Sequence, residues 1–185
     1  MLSRTAALVL GGILLVALNL RAAITSLGAL LPEVRGDLGL TPTVAGLVTM
    51  VPALSFAAFG TITPWLARRF THAQILIGAM VMLAGGQAAR VITDSAAVFV
   101  ITSTAALAGI AVANVLLPVV VREHFPHRAG LVTGVYTMSM TVGTTTAAAA
   151  SVPIAHAFGG WRAGLGVWAL TAALAALPWL VSRGG

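Results

Sequence analysis

The sequence predicts an all-α, polytopic membrane protein, a bundle of six transmembrane helices. Three observations carry that expectation. Of the 185 residues, 59% are hydrophobic and only 8% are charged, with a mean hydropathy of +1.03. A soluble domain carries about 25% charged residues, so this chain lacks the polar surface that water requires. The apolar runs each reach roughly 20 residues, the length that crosses the hydrocarbon core of a bilayer. The polar segments between them are short and leave no room for a soluble domain.

The first span is expected over 5–31, and PEVRGDLGL from Pro32 reads as a polar turn. Thr41-Pro42 opens a second span over 43–66, with proline tolerated in the first turn, and Arg68-Arg69 close it. The third span covers 73–92, and Thr93 to Ser95 turn the chain. The fourth covers 97–121, followed by REHFPHR from Arg122, the longest polar connection. The fifth covers 129–154, HAFGG ends it, and the sixth covers 161–181. Residues 1–185 then form a single bundle. Arg4 does not mark a signal peptide, because the apolar run outlasts an h-region and offers no small-residue cleavage site.

Small residues recur at the four-residue spacing that lets helices approach closely in lipid. Gly130 and Gly134 form one such pair, Ala105, Gly109 and Ala113 another series, and Ala147 with Ser151 a third. LLPEVR at 30–35 echoes LLPVVVR at 116–122. One closes span one and the other span four, as a 3+3 repeat inverted in the membrane requires.

The basic residues are ten arginines and no lysine, for a formal net charge of +6. They lie between apolar runs, so membrane topology explains them and nucleic acid is not an expected partner. With an inner N-terminus, the inside carries Arg4, Arg68, Arg69, Arg122, Arg128 and Arg183, and the outside Arg35, Arg90 and Arg162. The bias of arginine toward the inside predicts that both termini are cytoplasmic. Trp65, Trp161 and Trp179 fall near span ends, where an interfacial position is expected. There is no cysteine, which excludes disulfides and thiolate metal sites. His124 and His127 flank Phe125-Pro126 without a metal-ligand spacing on one helix face. No metal or cofactor is expected.

Within this apolar frame a few polar residues lie at membrane depth. Span one is centred near Leu18, with Asn19 at its middle and Arg21 a few ångströms outward. A charge there costs roughly 2.5–3.5 kcal/mol on insertion scales unless it faces a partner or a wet cavity. All four acids, Glu33, Asp37, Asp94 and Glu123, lie at span ends, so none pairs with Arg21 at its depth. Asn19 and Arg21 point about 200° apart on a straight helix. Arg21 is the expected cavity residue, with a structural ion pair or a carbonyl-capping arginine as its alternative, and Asn19 doubles as a candidate tie between helices. Asn114 on span four and Tyr136 on span five reach a similar depth, and each has a plain packing or interhelical alternative. Arg21, Asn19, Asn114 and Tyr136 are the candidate substrate-binding residues. Thr133, Thr137 and Thr141 follow one another by a turn, but threonine hydroxyls can return to the i−4 carbonyl.

Three stretches bear a family likeness: LNLRAAITSLGALLPEVRGDLGL, ANVLLPVVVREHFPHRAGLVTGVYTMSM and GGWRAGLGVWAL. On them the chain resembles the N-terminal six-helix half of a major facilitator superfamily transporter. More narrowly it is similar to the cyanate and 2-nitroimidazole transporter branch. The superfamily's G-x-x-x-D-R-x-G-R-R loop is kept at Gly60, Arg68 and Arg69, but Pro64 stands where the acid does and Ala67 where the second glycine does. The resemblance implies twelve spans, of which this chain supplies six. Its partner is then a second six-helix half, or a second copy of itself, in the lipid bilayer.

The guanidinium fork of Arg21 suits a small planar anion. The expected function is a secondary carrier for a small anionic solute such as cyanate or a nitroimidazole-like compound. A structural or channel-like membrane subunit is the alternative. An enzyme is not expected: Ser139 lacks a strained Gly-rich setting and His156 lies near the membrane surface.

Overall fold

The computed structural model describes residues 4–182. Arg183 and the outermost residues of the 1–185 unit lie outside the described residues. Six long helices follow one another: α1 (Arg4–Asp37), α2 (Pro42–Arg69), α3 (His72–Val91), α4 (Ala96–His124), α5 (Ala129–Ala157) and α6 (Trp161–Ser182). A single 3-10 turn, Pro126–Arg128, joins α4 to α5, and no strand occurs among the described residues.

The helices run further than their apolar cores. α1 passes through Pro32 to Asp37, where a turn is expected from sequence. Proline near the end of a long helix removes a single backbone hydrogen bond, and Val34 beyond it is fully buried. The turn is confined to 38–41, where Gly39 takes the left-handed conformation at φ +60°. α2 begins on Thr41, whose hydroxyl accepts from the Val44 amide, and α3 on a reciprocal Thr71–Gln74 capping box. α4 likewise absorbs Arg122 to His124 of the expected connection.

Five helices, α1, α2, α3, α4 and α6, are long and apolar enough to cross a membrane. α5 has the length, at 29 residues, but a run of threonines dilutes its apolar character.

α2, α4, α1 and α5 form one layer in that order, and α3 and α6 lie behind it against α4, α1 and each other. The packing maps onto itself when α1–α3 are exchanged with α4–α6. α1 on α5 answers α4 on α2, and α1 on α6 answers α4 on α3. Six helices of alternating direction make this exchange an inversion, as expected of a 3+3 repeat.

Backbones touch where glycine permits it. A Cβ on Gly86 would lie 2.6 Å from the Thr102 carbonyl oxygen, and one on Gly109 would collide with the Ala79 carbonyl, so α3 and α4 are in van der Waals contact along two turns. Gly143 meets the Leu18 backbone of α1 in the same way. The Gly130–Gly134 pair is different: nothing lies within 4 Å of either position. Ala147 and Ser151 do pack, and Ser151 accepts a 3.0 Å hydrogen bond from the Trp168 indole.

Polar ties hold α1 to its neighbours. The Ser139 hydroxyl donates to the Leu14 carbonyl at 2.7 Å. Asn19, 1% exposed, donates to the Leu15 and Thr171 carbonyls at 2.9 and 3.1 Å and accepts from the Thr171 hydroxyl at 2.8 Å. Its amide is therefore turned toward α6.

The two ends of the bundle are fastened by polar side-chain contacts. On the side of the termini, His72 contacts Glu123 at 2.6 Å. On the opposite side, Arg162 reaches Asp37 at 2.7 Å and Asp94 at 2.6 Å, and the Trp161 indole donates to Asp37 at 2.9 Å. His156 lies 3.4 Å from Glu33. Of the three tryptophans expected at the interface, Trp65 alone is exposed. Trp161 and Trp179 are buried, the latter against Gly12.

Two stability measurements on the purified chain follow. Gly109→Ala is expected to destabilise by about 1–3 kcal/mol through overpacking, whereas Gly134→Ala gains up to about 1 kcal/mol of helix propensity. Thermal unfolding of the two variants in detergent should shift in opposite directions. A double-mutant cycle with Asn19→Leu and Thr171→Val should give a coupling of about 0.6–1.7 kcal/mol.

Candidate functional site

Arg21 stands on the outer face of the four-helix layer. Its helical neighbours Leu20, Ala22 and Ala23 are buried, while Arg21 itself is exposed. The same division occurs on α4, where Ile110, Ala113, Leu116 and Leu117 are buried and Asn114 is exposed. Burial of the apolar stripes against α3, α5 and α6 thus turns the two polar residues onto one face.

They meet there. Arg21 and Asn114 line a cavity of about 170 Å³ together with Leu20, Ile24, Phe56 and Ile110. A second concavity of about 330 Å³ lies on the other flank of Arg21, walled by Thr137, Met140, Thr141 and Thr144 of α5. Arg21 therefore stands between an amide-bearing slot toward α2 and α4 and a threonine wall on α5.

The chemistry of the two flanks differs. Thr137, Thr141 and Thr144 donate their hydroxyl protons to the carbonyls four residues earlier, at 2.8, 3.2 and 3.1 Å. They offer oxygen lone pairs to the concavity and no proton. The guanidinium of Arg21 and the amide of Asn114 are donors. Among the described residues Arg21 makes no hydrogen bond and no ion pair, and every acid of the chain is engaged at a helix end. Among the described residues the cation in this cavity has no counter-charge, so a negatively charged hydrogen-bond acceptor suits the slot.

The expected site is thus assembled in part. Arg21 and Asn114 share a cavity. Asn19 does not join them, because its amide is spent on Thr171 of α6. Tyr136 does not join them either: it is buried in the main hydrophobic cluster with Val16, Leu20 and Val132 and lines neither concavity. One residue along the helix is about 100° of rotation, which puts Thr137 on the open face and Tyr136 inside. Phe56 is the one residue of α2 that lines the Arg21–Asn114 cavity, and the sequence did not single it out. It is one apolar residue in an apolar helix, and no local signal separates it from Leu54 or Phe59. Thr171 was legible in principle, as a lone hydroxyl in the long apolar run of α6.

Known proteins resemble this chain in sequence and in the arrangement of its helices. The Major Facilitator Superfamily description matches residues 9–184. An uncharacterized transporter of Bacillus subtilis (strain 168), YycB, is 36% identical over 91% of this chain and 42% of its own length. The 2-nitroimidazole transporter of Escherichia coli (strain K12) is 33% identical over 92% of this chain and 43% of its own. The cyanate transport protein CynX of the same organism is 26% identical over 90% and 44%. The chain spans less than half the length of these relatives. Among solved structures, a peptide transporter POT in complex with sulfate superposes with a TM-score of 0.79 over 95% of this chain and 37% of that one, at 16% identity. The same transporter with alafosfalin gives 0.75 at 17% identity, over 97% and 38%. At such identities the likeness concerns the fold alone. The sequence match along nearly the whole chain and the apolar helices make this a multi-pass membrane protein, and the chain belongs to the Major Facilitator Superfamily.

Proposed function

We propose that this chain is the N-terminal half of a secondary carrier for a small anionic solute, cyanate or a compound like a nitroimidazole. The observation that carries the reading is the Arg21–Asn114 cavity, which holds a cation with no acid of the chain to neutralise it. The guanidinium fork binds the anion through paired hydrogen bonds, and Asn114 fixes its orientation. The names of two relatives, a 2-nitroimidazole transporter and a cyanate transport protein, support the same substrate class.

A single half has nothing to rock against, and alternating access needs two. A second six-helix bundle, carried by the remainder of a longer chain or by a second copy, closes over the layer of α2, α4, α1 and α5 and completes the cavity. The termini lie in the cytoplasm of a bacterial inner membrane. Arg68, Arg69, Arg122 and Arg128 sit on that side, whereas across the membrane Arg90 is buried and Arg162 is held by two acids.

Uptake of radiolabelled cyanate by proteoliposomes carrying the full-length protein tests this. Saturation and counterflow are expected, and a channel-like subunit shows neither. Arg21→Ala should weaken apparent affinity by about 10–150-fold, the equivalent of a charged hydrogen bond of about 1.5–3 kcal/mol. Arg21→Lys keeps the charge but loses the fork and should fall between. Asn114→Ala should cost up to about tenfold, and Tyr136→Phe should change little. Unaltered affinity in both Arg21 variants removes the proposal.

A further inference from the structure

A second arginine poses a sharper problem than Arg21. Arg90, in the last turn of α3, is 1% exposed and is the bulkiest of the fully buried side chains among the described residues. Its Nε and Nη2 atoms have no hydrogen-bond partner. These two atoms form one edge of the guanidinium and donate in the same direction.

The neighbouring polar groups are unpartnered too. Gln87, one turn earlier on α3, is fully buried with both amide atoms unbonded, and the Ser103 hydroxyl of α4 is likewise buried and unbonded. The helix contact sets their register. Gly86 lies against Thr102 and Ala106, and Gly109 against Ala79 and Leu83, so antiparallel α3 and α4 bring Gln87 level with Ser103. Arg90 follows one turn toward the end of α3. By register, a guanidinium edge, an amide and a hydroxyl, all buried and unbonded, thus fall within about one turn of each other along α3 and α4, and donors outnumber acceptors.

A guanidinium cannot escape its charge by releasing a proton, and a buried charge without a partner is strongly disfavoured. The chain has four acids. Asp37 and Asp94 hold Arg162, Glu33 faces His156, and Glu123 faces His72. Nor can a protein partner docked outside the bundle reach a side chain that is 1% exposed.

We propose that Gln87, Arg90 and Ser103 form a structural binding site for a monovalent halide, chloride in the cell, seated between α3 and α4. The Nε–Nη2 edge of Arg90 holds the ion from one side, and the Gln87 amide and Ser103 hydroxyl donate to it from the other. The site lies behind the four-helix layer, apart from the Arg21 cavity, and does not depend on the transport reading.

Thermal unfolding of the purified protein tests it, in sodium chloride against sodium gluconate at equal ionic strength. Chloride is expected to raise Tm by about 2–4 °C, with a saturable dependence on concentration. Arg21→Ala should keep this response and Arg90→Met should lose it. Equal Tm in the two salts, or a chloride response that survives in Arg90→Met, overturns the proposal. Should Arg90→Met fail to fold, crystals of the unmodified protein grown in bromide decide. An anomalous peak in contact with Arg90 supports the site, and its absence there overturns it.

Discussion

Charge balance in a medium that tolerates little charge governs this molecule. The chain has ten arginines and four acids. All four acids sit at helix ends, where each meets a basic side chain. There they fasten turns to one another in or near water, and such exposed pairs are individually weak. Their larger consequence is that nothing acidic is left for the membrane interior. A cation placed inside the bundle must then face water, a solute or an inorganic ion. Arg21 and Arg90 are the two such cations, one open to a cavity and one enclosed.

The enclosure of one and the openness of the other follow from the layered packing. α3 and α6 are the rear pair, and α3 is pressed onto α4 at Gly86 and Gly109, where a Cβ would clash with the facing backbone. Any polar residue on that seam is sealed in, as Gln87, Arg90 and Ser103 are. The front layer is covered on one face only. Its other face carries Arg21, Asn114 and the threonines of α5. The modest apolar character of α5 belongs with this position. A helix whose threonines wall a polar concavity cannot also be apolar all round.

Hydrogen bonds within the bundle separate polar residues committed to neighbouring helices from those left open to a cavity. Asn19 and Arg21 are two residues apart in sequence and both sit deep in α1, yet they play opposite parts. Asn19 satisfies its amide on Thr171 and joins α1 to α6. Arg21, rotated to the far side, has only the cavity. Tyr136 and Thr137 divide in the same way on α5.

Much of this was legible from the chain by itself. Apolar run length and charge content set the number of helices and the membrane environment, because both depend only on local composition and the thickness of a bilayer. The LLP echo anticipated the inverted repeat, and the 200° between Asn19 and Arg21 anticipated that they face different sides of α1. The sequence could not tell which glycines are contacts, since Gly109 and Gly134 have equivalent local patterns and only the helix crossing distinguishes them. It could not reveal that Arg90, placed at the end of a span, is sealed inside, or that Trp161 and Trp179 turn away from the interface. Nor could it bring Phe56 to the cavity. Helix periodicity fixes which residues share a stripe, but the neighbour that each stripe meets is set by the packing of all six helices together, and only the tertiary structure decides that.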